Sequence, residues 1–237
     1  MKTLVGAVRF IAAAFHSILF ASLILMTLVF TRNSRVFHWW CRKWAGLALK
    51  IGGVAVSVRG AEHLLEGRSF VYVSNHASVF DIPAVIAAIP DEIRIVYKKE
   101  LEKIPIFGWG LKYGSYIGID RGRGVEAQKS LEEAIEKIRR GESVLLFAEG
   151  TRTLDGRLQT FKRGAFHIAA RAGVPVVPLT INGSFRILPK NSIAVQPGAV
   201  QLILEQPIYL KGKDGKEAER ELMEKVHAAI EKHYINQ

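Results

Sequence analysis

The 237-residue chain contains a single cysteine, so it can hold neither a disulfide framework nor a zinc site built on cysteines. Acidic residues are absent from residues 1–61, which carry eight Lys and Arg. The rest of the chain holds 25 of the 33 basic residues against all 22 acidic ones, so the net charge of +11 is concentrated at the N-terminus. A basic segment around apolar sequence favours anionic lipid as a partner. Nucleic acid is not expected, since no base-reading or stacking pattern accompanies the charge.

Residues 11–30 form a nearly continuous apolar run, interrupted only at His16, Ser17, Ser22 and Thr27. At about 1.5 Å per residue, a helix of this length matches a hydrocarbon core of ~30 Å. A cleaved signal peptide would have a shorter apolar region that ends at small residues, whereas Thr-Arg-Asn-Ser-Arg follows here. We therefore predict an uncleaved membrane anchor.

Residues 35–51 combine Trp39, Trp40 and Trp44 with basic side chains, and both types favour the membrane–water interface. The first helix could span the bilayer with the second at its surface, or the two could form a hairpin within one leaflet. The remaining alternative is that both are core helices of a soluble protein. We predict that residues 1–51 anchor the chain in the cell membrane. Because basic residues follow the first helix, the next domain is predicted on the cytoplasmic side.

From Gly52 onward, short β-branched apolar runs alternate with segments of helical spacing. The predicted strands are 54–58, 70–74, 93–97, 116–119, 143–148, 174–181 and 200–204. The predicted helices are 78–88, 125–140, 164–172 and 217–234, with a broken helical stretch at 100–112. This alternation predicts an α/β fold with a mostly parallel sheet flanked by helices, formed by residues 52–237 as one domain.

The first candidate for chemistry follows the strand 70–74, where His76 precedes Asp81 by five residues. In open α/β sheets, ligands bind just beyond the carboxyl ends of strands. A histidine there is a candidate general base, and a nearby carboxylate can orient it. Ser78 and Asp81 also have the spacing of a capping box. Asp81 could therefore cap a helix start, and His76 could only satisfy a turn.

Charged residues also follow other predicted strands. Lys98 and Lys99 follow strand 93–97, Asp120 and Arg121 follow 116–119, Glu149, Gly150, Thr151 and Arg152 follow 143–148, and Lys162 precedes a helix. Gly150 permits a sharp turn, and the planar guanidinium of Arg152 suits bidentate phosphate binding. One basic residue alone is most simply a solvated surface charge. Several at one edge, beside a His–Asp pair, predict a site for an anionic substrate.

These motifs resemble those of the glycerolipid acyltransferases with an Asn-His-x4-Asp motif, and most of all the 1-acyl-glycerol-3-phosphate (lysophosphatidic acid) acyltransferases. The resemblance runs from about residue 70 to residue 182. It rests on residues 75–81, 98–101, 119–121, 147–152, 161–166 and 174–178, in this order. Ala148 departs from the family pattern, which commonly has proline before the glutamate. This departure should alter the stiffness of the loop more than its chemistry.

The resemblance implies transfer of an acyl chain from a thioester, acyl-CoA or acyl carrier protein, to the sn-2 hydroxyl of 1-acyl-glycerol-3-phosphate, forming phosphatidic acid. It implies His76 as general base and Asp81 as its orienting partner. The substrate-binding residues would be Lys98, Lys99, Arg121, Glu149, Gly150, Thr151, Arg152 and Lys162. No cofactor or metal is expected, because one His and one Asp are too few ligands.

Other functions compete with this interpretation. The same chemistry could act on glycerol-3-phosphate or another lysolipid. A hydrolase or covalent acyl carrier could use Ser74 or Ser78 as nucleophile beside His76, although the chain has no Gly-x-Ser-x-Gly elbow. A non-catalytic lipid-binding protein would not need the His–Asp pair. The joint presence of that pair and the other motifs favours acyl transfer, with the lipid bilayer as the partner of the N-terminal helices.

Overall fold

The computed structural model describes residues 2–64, 68–120, 122, 124–210 and 215–236. The strands are β1 Val54–Arg59, β2 Val71–Ser74, β3 Arg94–Lys98, β4 Ile117–Ile119, β5 Val144–Phe147, β6 Val176–Asn182 and β7 Gly198–Leu204. The helices are α1 Lys2–Phe30, α2 Ser34–Gly52, α3 Asp81–Ala88, α4 Phe107–Tyr113, α5 Val125–Arg139, α6 Arg163–Ala172, α7 Ser184–Ile187 and α8 Gly215–Glu231. Short 3-10 turns lie at Ala61–His63 and Lys99–Lys103.

The seven strands form one sheet in the order β1-β7-β6-β2-β5-β3-β4. Neighbouring strands are parallel except β6 and β7, which pair antiparallel with Thr180 opposite Ile203. The carboxyl ends of β2, β5, β3 and β6 therefore meet at one edge of the sheet. The predicted α/β fold with a mostly parallel sheet is confirmed.

Helices cover both faces of the sheet, and β2 shows how its residues divide between them. Tyr72 faces the cluster formed with α2 and α3, whereas Val71 and Val73 face the cluster formed with α5, α6 and α8. All four residues of β2 are buried. A strand covered on both faces has no polar side, which explains why it is a continuous apolar run in the sequence.

The N-terminal helices pack against each other and against the α/β domain. On α1, His16 Nε2 lies 3.0 Å from the carbonyl oxygen of Trp44, and the Trp44 indole donates to Ser17 Oγ at 3.1 Å. On α2, one face is buried and includes Phe37 and Ala45. These helices precede the α/β domain in the sequence, and they also contribute side chains to its core.

The outer face of α1 remains apolar and exposed. Its exposed large residues recur at helical spacing and include Leu4, Val8, Ile11, Phe15, Leu19, Met26 and Phe30. The segment Thr3–Phe30 has a mean hydropathy of 2.1 and is long enough to cross a membrane by length and composition. Trp39 on α2 is 52% exposed, so one tryptophan of the predicted interfacial group lies at the protein surface.

Some boundaries differ from the sequence predictions. Helix α3 begins at Asp81 rather than Ser78, because the Ser78 hydroxyl donates to the Leu188 carbonyl at 2.9 Å and holds its own residue in the preceding turn. Helix α1 extends back to Lys2, nine residues before the apolar run. The short helix α7 was not predicted, since four residues are too few to show a period.

Arg42 connects α2 to the end of α3. Its two terminal guanidinium nitrogens donate to the carbonyl oxygens of Ile89 and Ala87 at 2.8 and 3.0 Å. These are carbonyls of the last helical turn, which otherwise lack intrahelical partners, and a cation there also complements the helix dipole.

Replacing Arg42 with alanine should weaken the attachment of the helix pair. We expect R42A to lower the free energy of unfolding by roughly 1–3 kcal/mol, because two charge-assisted hydrogen bonds are lost. Denaturant titration in detergent measures this change. Arg35→Ala, which removes an exposed arginine from the same helix, is the control. Equal stability of the two variants would contradict a role for Arg42 in docking.

Candidate active site

The loop between β2 and α3 brings His76 and Asp81 together at the sheet edge. His76 Nδ1 lies 2.7 Å from Asp81 Oδ2, and the Asp81 side chain is fully buried. The contact forms because His76 lies in the turn and Asp81 is the first residue of α3. Five residues along a continuous helix would instead separate the two side chains by about 140°.

The same carboxylate oxygen organises the backbone of the loop. Asp81 Oδ2 also accepts the N–H groups of Ala77 and Ser78 at 2.8 and 3.0 Å. An oxygen that accepts from two backbone donors is an acceptor for the imidazole as well, so the Nδ1 atom of His76 carries the proton. This tautomer leaves the Nε2 atom of His76 free to take a proton from a substrate.

The imidazole is held in place but remains accessible. The His76 ring stacks on Phe147 of β5, with centroids 3.7 Å apart and an angle of 15° between the planes. The side chain retains 14% of its accessible surface. A packed ring whose side chain remains partly exposed is suited to general-base chemistry.

Asp81 also serves the capping function that the sequence left open as an alternative. The Asp81 carboxylate bonds back to the Ser78 N–H, which is one half of a capping box. The Ser78 hydroxyl accepts from the Phe80 N–H at 3.3 Å instead of completing the other half. Capping the turn and orienting His76 are therefore one arrangement.

Neither neighbouring serine is placed as a nucleophile. The Ser74 hydroxyl donates to the Asn75 carbonyl at 2.9 Å, and the Ser78 hydroxyl donates to Leu188. Both serines are fully buried. Their protons are thus directed to backbone carbonyls rather than to His76.

Glu149 supports the catalytic loop from the end of β5. Its two oxygens accept the backbone N–H groups of His76 at 2.7 Å and Gln159 at 3.2 Å. Burial raises the pKa of Glu149 to about 7; the two hydrogen bonds oppose this shift, and the charge of Asp81 adds to it. Glu149 therefore binds the protein backbone, which shapes the loop around His76.

The three residues after Glu149 turn sharply and include one cation, the partly buried Arg152. Gly150 has a φ of +70°, and a Cβ there would lie 2.9 Å from Cδ of Lys162, whose side chain packs over the turn. Arg152 has no hydrogen bond or ion pair with the residues that the structure describes. Burial lowers the pKa of Arg152, whereas Asp81 acts in the opposite direction.

Two further predicted substrate-binding residues, Lys98 and Lys99, lie at the end of β3. Lys98 pairs with Glu100 at 3.0 Å, both about half exposed, and Lys99 is also exposed. Asp120 accepts the N–H of Gly122 at 2.7 Å, which forms a tight turn after β4. Arg121 lies outside the described residues, so its place at the site stays a prediction.

Tyr234 and Lys190 were missed in the sequence, and Asn75 was recognised only as part of the motif, without a role. The Asn75 amide exchanges two hydrogen bonds with the backbone of Ile181, at 2.9 and 2.8 Å, and so ties the loop to β6. The Tyr234 hydroxyl donates to the Gly156 carbonyl at 2.9 Å near the same loops. The Lys190 ammonium donates to Thr151 Oγ1 at 3.1 Å. These contacts span about 40 to 110 residues, so no local pattern reveals them.

An apolar cavity lies beside this edge, on the face of the sheet covered by α1 and α2. It extends from Ile82 and Leu101 to Phe37 and Cys41 between the helices. Burial raises the pKa of Cys41 to about 12, so this thiol stays neutral and serves as an apolar surface. The site thus combines a His–Asp pair, several cations and an adjoining space for an apolar chain.

Comparisons with known proteins agree with this geometry. The profile of the Acyltransferase family matches residues 55–182. The chain is 36% identical over 185 residues to the chloroplastic 1-acyl-sn-glycerol-3-phosphate acyltransferase BAT2 of Brassica napus, covering 77% of this chain and 53% of that protein. It is 32% identical over 192 residues to the 1-acyl-sn-glycerol-3-phosphate acyltransferase of Pseudomonas aeruginosa, covering 81% and 73%. The chain therefore spans about half the length of the plant relative.

A solved structure resembles the whole chain. The crystal structure of the 1-acyl-sn-glycerophosphate acyltransferase PlsC from Thermotoga maritima matches with a TM-score of 0.82 and 29% identity. The match covers 98% of this chain and 95% of that protein, so it includes the N-terminal helices. The family resemblance predicted from the motifs is confirmed.

Glu149 should leave a pH signature on stability. Its folded pKa of about 7 exceeds its ordinary 4.5, so its stabilising contribution is complete below pH 4.5 and is lost as the pH rises through 7. We expect the unfolding free energy of the wild type, relative to Glu149→Gln, to fall across this window by up to about 3 kcal/mol and then stay level. Urea titrations from pH 4 to pH 9 measure the difference.

The matched control for this series is Glu133→Gln, which changes an exposed glutamate of α5. Because Glu133 is exposed, the same comparison should give a much smaller change with pH. A difference between the wild type and E149Q that is constant with pH would show that Glu149 ionises as it does in the unfolded chain.

Proposed function

Because the chain belongs to the acyltransferase family, we propose that it transfers a fatty acyl chain from a thioester to the sn-2 hydroxyl of 1-acyl-glycerol-3-phosphate, forming phosphatidic acid. The observation that carries the proposal is the His76–Asp81 contact of 2.7 Å, with the His76 side chain partly exposed at the sheet edge. The proposed acceptor is inferred from the names of the relatives, and the proposed general-base chemistry is inferred from the geometry of His76 and Asp81.

His76 acts as the general base in this proposal. Its Nε2 atom takes the proton of the acceptor hydroxyl as that oxygen attacks the thioester carbonyl carbon. The resulting imidazolium is stabilised by Asp81, which holds the Nδ1–H bond throughout. When the tetrahedral intermediate collapses, the carbon–sulfur bond breaks and the proton on Nε2 passes to the departing thiolate. No cofactor takes part, since the thioester donor is a co-substrate.

The phosphate of the acceptor is proposed to bind the cations beside this pair. Arg152 adjoins the loop that Glu149 holds, and its guanidinium has no partner among the described residues. Lys162 packs over the turn at Gly150, and its ammonium lies within reach of the same loop. Arg121 and either Lys98 or Lys99 complete the proposed set, as the family resemblance implies.

Two further features support a fatty acyl substrate at a membrane. The cavity lined by Ile82, Leu101 and Phe37 is apolar, as a hydrocarbon chain requires. The exposed apolar face of α1 has the spacing of a helix that lies in or across a bilayer. We therefore propose that α1 binds the cell membrane and that the catalytic domain works on its cytoplasmic side with acyl-CoA or acyl carrier protein as donor.

Substitution of the proposed base tests the reaction. His76→Ala should lower acyl transfer to lysophosphatidate by at least a hundredfold, because general-base catalysis is lost. Asp81→Asn should also lower kcat strongly, since an amide cannot stabilise the imidazolium. The assay follows phosphatidic acid formed by the purified protein in detergent micelles with each donor. Full activity of H76A would refute the mechanism.

The same assay separates the competing functions. If the protein acylates glycerol-3-phosphate or another lysolipid faster than lysophosphatidate, the proposed acceptor is wrong but the proposed chemistry stands. An acyl group trapped on the protein in single turnover would show a covalent intermediate. Lipid binding without turnover would indicate a non-catalytic role. His167→Ala, which removes a histidine that bonds Glu219 on α8, is a matched control for loss of an imidazole.

Charges placed on α1 test membrane binding. Ile11 and Phe15 are 66% and 69% exposed, one turn apart on the outer face. The double variant I11E/F15E should lower partition into anionic vesicles at least tenfold, because carboxylates resist entry into the bilayer. Co-sedimentation measures the bound fraction. Val125→Glu adds a charge to an exposed apolar residue of α5 and should leave partition unchanged.

A further inference from the structure

The connection between α7 and β7, residues 188–197, contacts three separate parts of the molecule. The Leu188 carbonyl accepts the Ser78 hydroxyl of the catalytic loop at 2.9 Å. The Lys190 ammonium donates to Thr151 Oγ1 at 3.1 Å, and the Val195 N–H donates to the Gly6 carbonyl of α1 at 3.2 Å. This connection therefore links the proposed base, the proposed phosphate loop and the proposed membrane helix.

The backbone of the connection fixes the place of Lys190. Pro189 and Ser192 close a turn around it through a 3.1 Å hydrogen bond, and Asn191 takes a left-handed φ of +69°. Beyond the turn, the Gln196 N–H returns to the Ile187 carbonyl at 2.8 Å. A lysine on a segment tied at both ends needs less ordering to bind a ligand than one on a free loop.

The charge of Lys190 is uncompensated within the described part of the chain. Its one hydrogen bond goes to the neutral hydroxyl of Thr151, and no described carboxylate lies within ion-pair distance. An ammonium group has three donors, so two remain. Arg152, the next residue after Thr151, likewise has no described ion pair. Lys190 is thus bonded to the residue that precedes Arg152, and two cations without described ion pairs on neighbouring segments suit the several acceptor oxygens of a phosphate.

We propose that Lys190 is a further substrate-binding residue, which holds the phosphate of the lipid acceptor together with Arg152. This inference rests on the proposed function. The acceptor is favoured over a phosphate of the donor because the same connection is bonded to α1, the helix with the exposed apolar face. Ile193, three residues after Lys190, is 61% exposed, and the backbone of the next residue, Ala194, lies against Gly6 of α1. A headgroup entering from the membrane meets Lys190 beside Thr151.

Steady-state kinetics with separate titration of the two substrates tests this assignment. Lys190→Met keeps the length of the side chain and removes the charge, and Lys190→Gln is a second neutral variant if the first is poorly folded. We expect either to raise the KM for lysophosphatidate roughly tenfold to a hundredfold, the cost of a charge-assisted hydrogen bond. The KM for acyl-CoA and kcat should change less than twofold. Lys190→Arg should recover most of the acceptor affinity.

Arg186→Ala is the matched control, because it removes an exposed cation from the adjacent helix α7. It should behave as the wild type. An unchanged acceptor KM in K190M and K190Q, a rise in the KM for acyl-CoA instead, or a loss confined to kcat would each overturn the proposal. Failure of the proposed function is distinguishable, since the wild type and R186A would then both fail to acylate lysophosphatidate.

Discussion

The active-site loop depends on one buried carboxylate oxygen. Asp81 Oδ2 accepts the imidazole of His76 and the N–H groups of Ala77 and Ser78. Burying a carboxylate is costly, and three donors at this one atom offset part of that cost, while Asp81 Oδ1 is buried without a partner among the described residues. Because two of those donors belong to the backbone, a change in the shape of the loop would also move Asp81 Oδ2 away from the His76 imidazole. The same hydrogen bonds therefore fix both the shape of the turn and the orientation of His76. Asn75 also bonds the loop to β6, and Glu149 bonds it to the end of β5.

Electrostatics explains why the edge needs its cations. Asp81 and Glu149 are both buried near His76. Burial raises the pKa of Glu149 to about 7, and the charge of Asp81 adds to this rise. A substrate that brings a phosphate adds further negative charge to this place. Without cations, binding would be opposed by the carboxylates that support the base. Arg152, adjacent in sequence to the Glu149 loop, supplies positive charge where the phosphate is proposed to bind.

Much of the fold was predictable because the central strands have neighbours on both faces and are therefore largely apolar, as β2 and β5 show. The pairing of His76 with Asp81 could also be predicted, because both residues follow the same strand and lie close together in the sequence. The antiparallel pairing of β6 with β7 could not be predicted, because the direction of β7 depends on the path of the connection that precedes it. Lys190 was missed because its partner Thr151 is 39 residues away, and a lone lysine in a loop carries no signal of such contacts.

The packing of α1 and α2 links the proposed membrane-binding surface to the proposed active site. If these helices were only an anchor, their inner faces would be free of the α/β domain; instead, Arg42 bonds to the end of α3 and Val195 bonds to Gly6. The apolar cavity beside the catalytic edge is lined by residues of both helices, such as Phe20 and Phe37. The surface proposed to enter the membrane and the wall proposed to hold the acyl chain are thus opposite faces of the same elements. In the proposed function, a lipid would pass from the bilayer to His76 along protein surface, so that its apolar chain avoids the free-energy cost of crossing water.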